Sequence, residues 1–271
     1  MNIYVKYEND MHDISNLKSQ ILNIEGRYNR LSDGICFIKT GEKLFDDALR
    51  GGIYGGQVCE IVPKTYLDEI SQIEFACSLA GITLQQRQGD FIIISDGYFD
   101  NEWGEFYPVG FRRFGVSEDR ILIINVKSKN EIQSCSIEIA KTIGIGAFMV
   151  LTSRKNAFDF SSARKLQIAS NIGGTPVYLI SAYGSTPFSP AHLRMSLESM
   201  PSNLPNWAQG ISNKKITPLG FPAWHVEILK SRIGAIGNFN LEFDYETFHL
   251  RSFSVFSNRQ IMPNGGHKIS A

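Results

Sequence analysis

The chain has 271 residues, 43% hydrophobic and 20% charged, and a formal net charge of zero, a balance typical of a soluble globular protein with one large core. A neutral chain sets up no global field for nucleic acid or an anionic membrane, so any DNA contact has to come from a local patch. The first ten residues have neither a basic start nor an apolar core, and no apolar run approaches the length of a membrane span, so a cytoplasmic location is expected.

Taken in chain order, residues 13–30 are polar but place Ile14, Leu17, Ile21, Leu22 and Ile24 on one helical stripe. This segment, within residues 1–31, is expected to form a helix with one sticky face, packed on its own domain or on a partner. A short helix over 42–49 is expected to end at Gly51-Gly52. Strands are expected over 58–62, 91–95, 121–126, 147–152 and 177–180, alternating with helices over 68–87, 106–114, 130–143 and 160–172. Continuous apolar strands separated by helices imply a mostly parallel sheet with helices on both faces, an α/β architecture. Segments 192–198, 224–229, 239–243 and 249–255 alternate between polar and apolar residues and suit an antiparallel extension of the same sheet. Residues 32–255 form the expected domain and 256–271 a tail poor in apolar residues.

The strand at 58–62 runs through a turn into a long helix, the layout of a phosphate-binding site, yet the phosphate-binding residues are missing. Such a site needs a G-x-x-x-x-G-K-[ST] loop, whose glycines let backbone N–H groups converge on the phosphates. The chain instead reads Val62-Pro63-Lys64-Thr65-Tyr66-Leu67-Asp68-Glu69-Ile70-Ser71. No glycine lies inside the turn, and Asp68 and Glu69 put negative charge where a phosphate would sit. Lys64-Thr65 keeps a K-[ST] pair but before the helix begins, which fits an ordinary capped turn better than a phosphate contact.

Cys36, Cys59, Cys77 and Cys135 are widely spaced and read as reduced core residues. His12, His192, His225, His249 and His267 show no metal-ligand spacing, so no metal site is expected. Asp96, Asp100, Glu102 and Glu105 could form a metal or acid/base group, although four carboxylates in one loop can simply be solvated. The nearby Tyr98, Phe99, Trp103, Phe106 and Tyr107 suit either core packing or a partner contact.

The glycine-rich lead-in at Thr40-Gly41, Gly51-Gly52 and Gly55-Gly56, the strand after it, the alternating strands and the β-rich C-terminal part together resemble the RecA-like fold. The segment Trp224-His225-Val226-Glu227-Ile228-Leu229-Lys230-Ser231-Arg232, with Gly237, Leu241-Glu242-Phe243-Asp244 and His249-Leu250-Arg251, is similar to the ImuA family. These are RecA-like proteins of the damage-inducible mutagenesis cassette. That resemblance, over residues 32–255, implies a non-catalytic accessory factor for error-prone translesion synthesis in the SOS response. Its implied partners are an inactive Y-family-like polymerase, an error-prone replicative-type polymerase and RecA itself, with self-association as a further expectation and no cofactor.

Set against RecA-type ATPases, Thr152 takes the position of the magnesium-linked aspartate. Near Asp96, where the water-activating glutamate is expected, stands Tyr98, whose phenol of pKa about 10 is a poor base. No catalytic residue is therefore expected. Two alternatives remain open at this point: a residual ATP-dependent protein that binds single-stranded DNA, and an SOS cell-division inhibitor. For the first, Arg154, Lys155, Arg164, Lys165 and Arg194 would supply positive charge, with Phe158, Phe160, Tyr183 and Phe188 for stacking.

Overall fold

β-branched and aliphatic runs build a nine-stranded sheet whose strands are buried mainly at its centre. In a computed structural model, residues 37–97, 104–152, 157–184, 190–202 and 220–253 are described. Ile14, Leu17, Ile21, Leu22 and Ile24 lie outside the described residues, as do Tyr98, Arg154, Lys155, Phe188 and the tail from 256.

The lead-in folds as strand β1 (Phe37–Ile38), helix α1 (Lys43–Ala48) and strand β2 (Ile53–Tyr54), with β1 and β2 paired antiparallel. Asp46 holds it together, accepting from Thr40 N at 2.9 Å and Thr40 Oγ1 at 2.8 Å while only 9% exposed. Gly52 turns at φ 119°, and a Cβ there would meet the Ile38 carbonyl oxygen at 2.2 Å, so only glycine closes this turn.

Strand β3 (Val58–Pro63) then enters the large sheet, followed by α2 (Glu69–Gln86), β4 (Phe91–Ser95), β5 (Ile121–Asn125), α3 (Lys129–Lys141), β6 (Ala147–Thr152), α4 (Phe160–Gly173), β7 (Val177–Ser181) and β8 (Leu193–Met200). β9 (Ala223–Ser231), β10 (Gly237–Asp244) and β11 (His249–Ser252) complete it. Their order across the sheet is β11-β10-β9-β8-β3-β7-β6-β4-β5. Strands β3 to β8 are parallel to one another, whereas β9, β10 and β11 add antiparallel beside β8. The expected fold class is present: a mostly parallel sheet, helices on both faces and an antiparallel C-terminal extension, consistent with a RecA-like α/β fold.

The period-two alternation of the strands divides the core between the two faces. Cys59, Ile61, Phe91, Ile93, Met149, Leu151 and Ile180 pack with α2, whereas Val58, Ile94, Phe148, Val150, Val177 and Leu179 pack with α3 and α4. Helix α2 is enclosed almost all round, since sheet, lead-in and the segment before β5 cover it, and that explains its apolar character on every side. Across the antiparallel extension the face that points away from α2 turns polar: Glu198, His225, Glu227 and Asn240 alternate with Leu197, Trp224, Val226 and Leu241. Antiparallel strands with one solvated face read this way.

Two expectations need correction. Residues 106–114 are helical only over Pro108–Phe114, and there as a 3₁₀ rather than an α-helix, closed by Gly115 at φ 76°. Pro108 and Gly110 weaken helix propagation, while Phe111 and Phe114 fix the segment by burying their rings in the core. The last expected strand stops at Ser252 rather than 255.

Cys59 and Cys77 are buried and Cys135 half-buried, all three as free thiols. Burial pushes the Cys59 thiol up to about 12 despite the hydrogen bond it accepts from Gln57, in keeping with an inert core residue. Among the described residues no helix is long and apolar enough to cross a membrane.

Gly81 lets α2 lie directly against the 3₁₀ segment, because a Cβ there would stand 2.1 Å from the Phe114 carbonyl oxygen. Gly81→Ala should destabilise the protein by about 2 kcal/mol in urea denaturation, through overpacking. Gly110→Ala, where nothing lies within 4 Å of the added methyl, should leave the midpoint nearly unchanged.

Candidate functional site

β3 ends at Pro63, and the turn into α2 is built from a 3₁₀ segment, Tyr66–Asp68, which continues into α2 at Glu69. Asp68 is 5% exposed and each of its oxygens is used twice. Oδ2 accepts from Thr65 N at 3.0 Å and Thr65 Oγ1 at 2.7 Å. Oδ1 accepts from Ser199 N at 2.8 Å and Ser199 Oγ at 3.0 Å, which ties the turn to β8. Burial pushes the Asp68 carboxyl up, but the hydrogen bonds from Ser199 and Thr65 outweigh it and hold the group below the usual aspartate range.

The remaining polar groups of the turn are also engaged by the chain itself. Lys64 donates to Glu198, its backbone N–H donates to the Leu197 carbonyl at 2.9 Å, and Ser71 Oγ lies 2.6 Å from Ser199 Oγ. Glu69, 1% exposed, accepts from the Tyr183 backbone N–H at 2.8 Å through Oε1. The K-[ST] pair is thus paired with carboxylates, Lys64 with Glu198 and Thr65 with Asp68. A phosphate at this helix entry would meet two carboxylates, with Asp68 already occupying the Thr65 and Ser199 amides and Glu69 that of Tyr183.

Further along the carboxyl edge of the parallel strands, Thr152 Oγ1 donates to Asp96 Oδ2 at 3.1 Å, and Thr152 stands opposite Ser181 in the β6–β7 register. Gln72, fully buried, donates from Nε2 to the Ser181 carbonyl at 3.1 Å. The chain therefore brings Asp68, Glu69, Ser71, Thr152 and Asp96 to one edge of the sheet, as the spacing of strand ends predicts. Of the acidic loop, Asp100 and Glu102 lie outside the described residues, and no three His, Cys, Asp or Glu side chains among the described ones group with metal-binding geometry. Of the aromatic group, Phe106 packs against the core while Tyr107 is 70% exposed.

The basic residues divide. Arg164 and Lys165 are exposed on α4, on the same helix as the 68% exposed Phe160. Arg194 is a correction: it is 7% exposed and its Nε lies 3.4 Å from Glu60 Oε2, itself on the neighbouring β3. Polar alternation in 192–198 points Arg194 away from the α2 core, as expected, but that face is closed at this point, so the guanidinium serves a buried ion pair. Sequence reasoning missed Glu60, Gln72 and Ser199. Glu60, inside an otherwise apolar strand, was the one signal that a buried partner of opposite charge had to exist.

Neither family models nor curated proteins give a match to this chain.

The low folded-state pKa of Asp68 makes its contribution present above the unfolded value, about 3.9, and lost as pH falls through the folded value. Asp68→Asn should cost about 1 kcal/mol at neutral pH in urea denaturation. The gap from wild type should close as the pH is lowered below about 4.

Proposed function

We propose that this protein is a non-catalytic, RecA-like accessory factor that acts through protein contacts, in SOS-induced error-prone translesion synthesis. The observation that carries the non-catalytic part is the occupation of the strand-to-helix turn by Asp68 and Glu69, with Lys64 paired to Glu198. Catalysis of phosphoryl transfer needs donors and a metal-linked carboxylate aimed at the phosphates, and this turn offers acceptors. Thr152 at the end of β6 supports the same reading, because its hydroxyl is committed to Asp96. The assignment to the mutagenesis cassette rests on the likeness of residues 224–251 to the ImuA family. Its partners on this reading are the inactive Y-family-like polymerase and the error-prone replicative-type polymerase of that cassette, and RecA.

Calorimetric titration with ATP and magnesium should give no binding in the submicromolar range; a site of that affinity would overturn the non-catalytic reading. Co-purification with the polymerase partners from damage-treated cells tests the rest. Recovery should fall when residues 1–31 are removed, and equal recovery would take that segment out of the contact.

A second reading, weak binding to single-stranded DNA, is favoured by one feature: Phe160, Arg164 and Lys165 present a ring and two cations on the exposed side of α4. If that surface binds DNA, Arg164→Ala with Lys165→Ala should lower affinity for an oligothymidylate in fluorescence anisotropy. It should also reduce the salt slope by roughly 0.7 per lost phosphate contact.

A further inference from the structure

Glu69 and Gln72 lie one helical turn apart at the start of α2, so their side chains are neighbours on one face. Both reach the same short stretch of chain at the end of β7: Glu69 Oε1 accepts from Tyr183 N and Gln72 Nε2 donates to Ser181 O. With those bonds made, Glu69 Oε2 and Gln72 Oε1 are left with no hydrogen-bond donor, although the residues are 1% and 0% exposed. A buried acceptor without a donor is costly, and one that belongs to a carboxylate is costlier. Two such oxygens, on side chains one helical turn apart that are each anchored to residues 181–183 through their other polar atom, are an incomplete shell.

We propose that Glu69 Oε2 and Gln72 Oε1 hold a small monovalent cation at the carboxyl edge of the sheet. The ligand atoms are all oxygen, which suits a hard cation rather than zinc or copper. The charge selects the monovalent class. One carboxylate balances one positive charge, whereas a divalent ion would leave a net positive charge buried without a counter-charge. Asp68 does not supply the second charge, because both its oxygens are engaged by Thr65 and Ser199. Among the described residues no lysine or arginine pairs with Glu69 either. The bound ion would complete the link between α2 and the residues after β7. It would give this edge a preference for cations, opposite to that of a phosphate-binding turn.

The test is thermal unfolding of the full chain at constant ionic strength, with choline chloride exchanged stepwise for potassium or sodium chloride. Wild type should gain a few degrees in Tm with a saturating dependence on the alkali ion, as linkage requires. Glu69→Gln, which keeps the shape and removes the charge, should lose that ion-specific gain, and Gln72→Leu should reduce it. Crystals of the unaltered chain soaked in rubidium chloride give a readout that needs no variant to fold. An anomalous peak between the two oxygens is expected. Equal Tm in choline and alkali chloride, an ion effect undiminished in Glu69→Gln, or an ordered water alone between the oxygens would overturn the proposal.

Discussion

The carboxylate of Asp68 is the constraint on which this end of the molecule is organised. Four donors, two from Thr65 and two from Ser199, converge on its two oxygens. The side chain thereby fixes the exit of β3, the entry of α2 and the position of β8 in one step. An N-terminal helix cap ordinarily satisfies amides of its own turn. Here half of the accepting capacity is spent across strands, on Ser199 of β8.

Around that junction, the described side chains at the carboxyl ends of the parallel strands act largely as acceptors. Glu69 accepts from the Tyr183 N–H, Asp96 from Thr152, and the Ser181 carbonyl from the Gln72 amide. A phosphate nest requires the opposite, several free N–H groups with a lysine or arginine alongside. Lys64 is present but held by Glu198, whose pairing also pushes the ammonium pKa up. The residues at this edge thus share one chemistry, above a sheet packed between its α2 and α3/α4 layers.

Much of the architecture could be read from the chain because local pattern and burial agree. The apolar runs at 91–95 and 147–152 became central strands, and the alternation in 224–229 became the half-solvated β9. Asp68 and Glu69 at the helix start were legible as charges hostile to phosphate. Their hydrogen-bond partners were not, since Ser199 and Tyr183 are brought to them only by the strand order β8-β3-β7. Arg194 misled for a related reason. Alternation correctly set it on the face opposite Leu193 and Met195, but no local pattern tells whether that face is open, and Glu60 closes the account only once β3 lies beside β8. Residues 106–114 are helical only from Pro108 and in the tighter 3₁₀ form, because their aromatic content reflects burial of Phe111 and Phe114 rather than an α-helical stripe.

The cross-strand reach of Asp68 also governs when this region can form as the chain emerges from the ribosome. Ser199 follows Asp68 by 131 residues, Glu198 follows Lys64 by 134, and Tyr183 follows Glu69 by 114. Helix α2 can coil early from its own sequence, but its first turn cannot be locked until β8 has been synthesised and laid against β3. Closing loops of that length delays the contacts that reward it. During synthesis the carboxylates at the head of α2 thus remain in water, where their charge is cheapest to carry. They become internal only in the last stage of assembly of the parallel sheet.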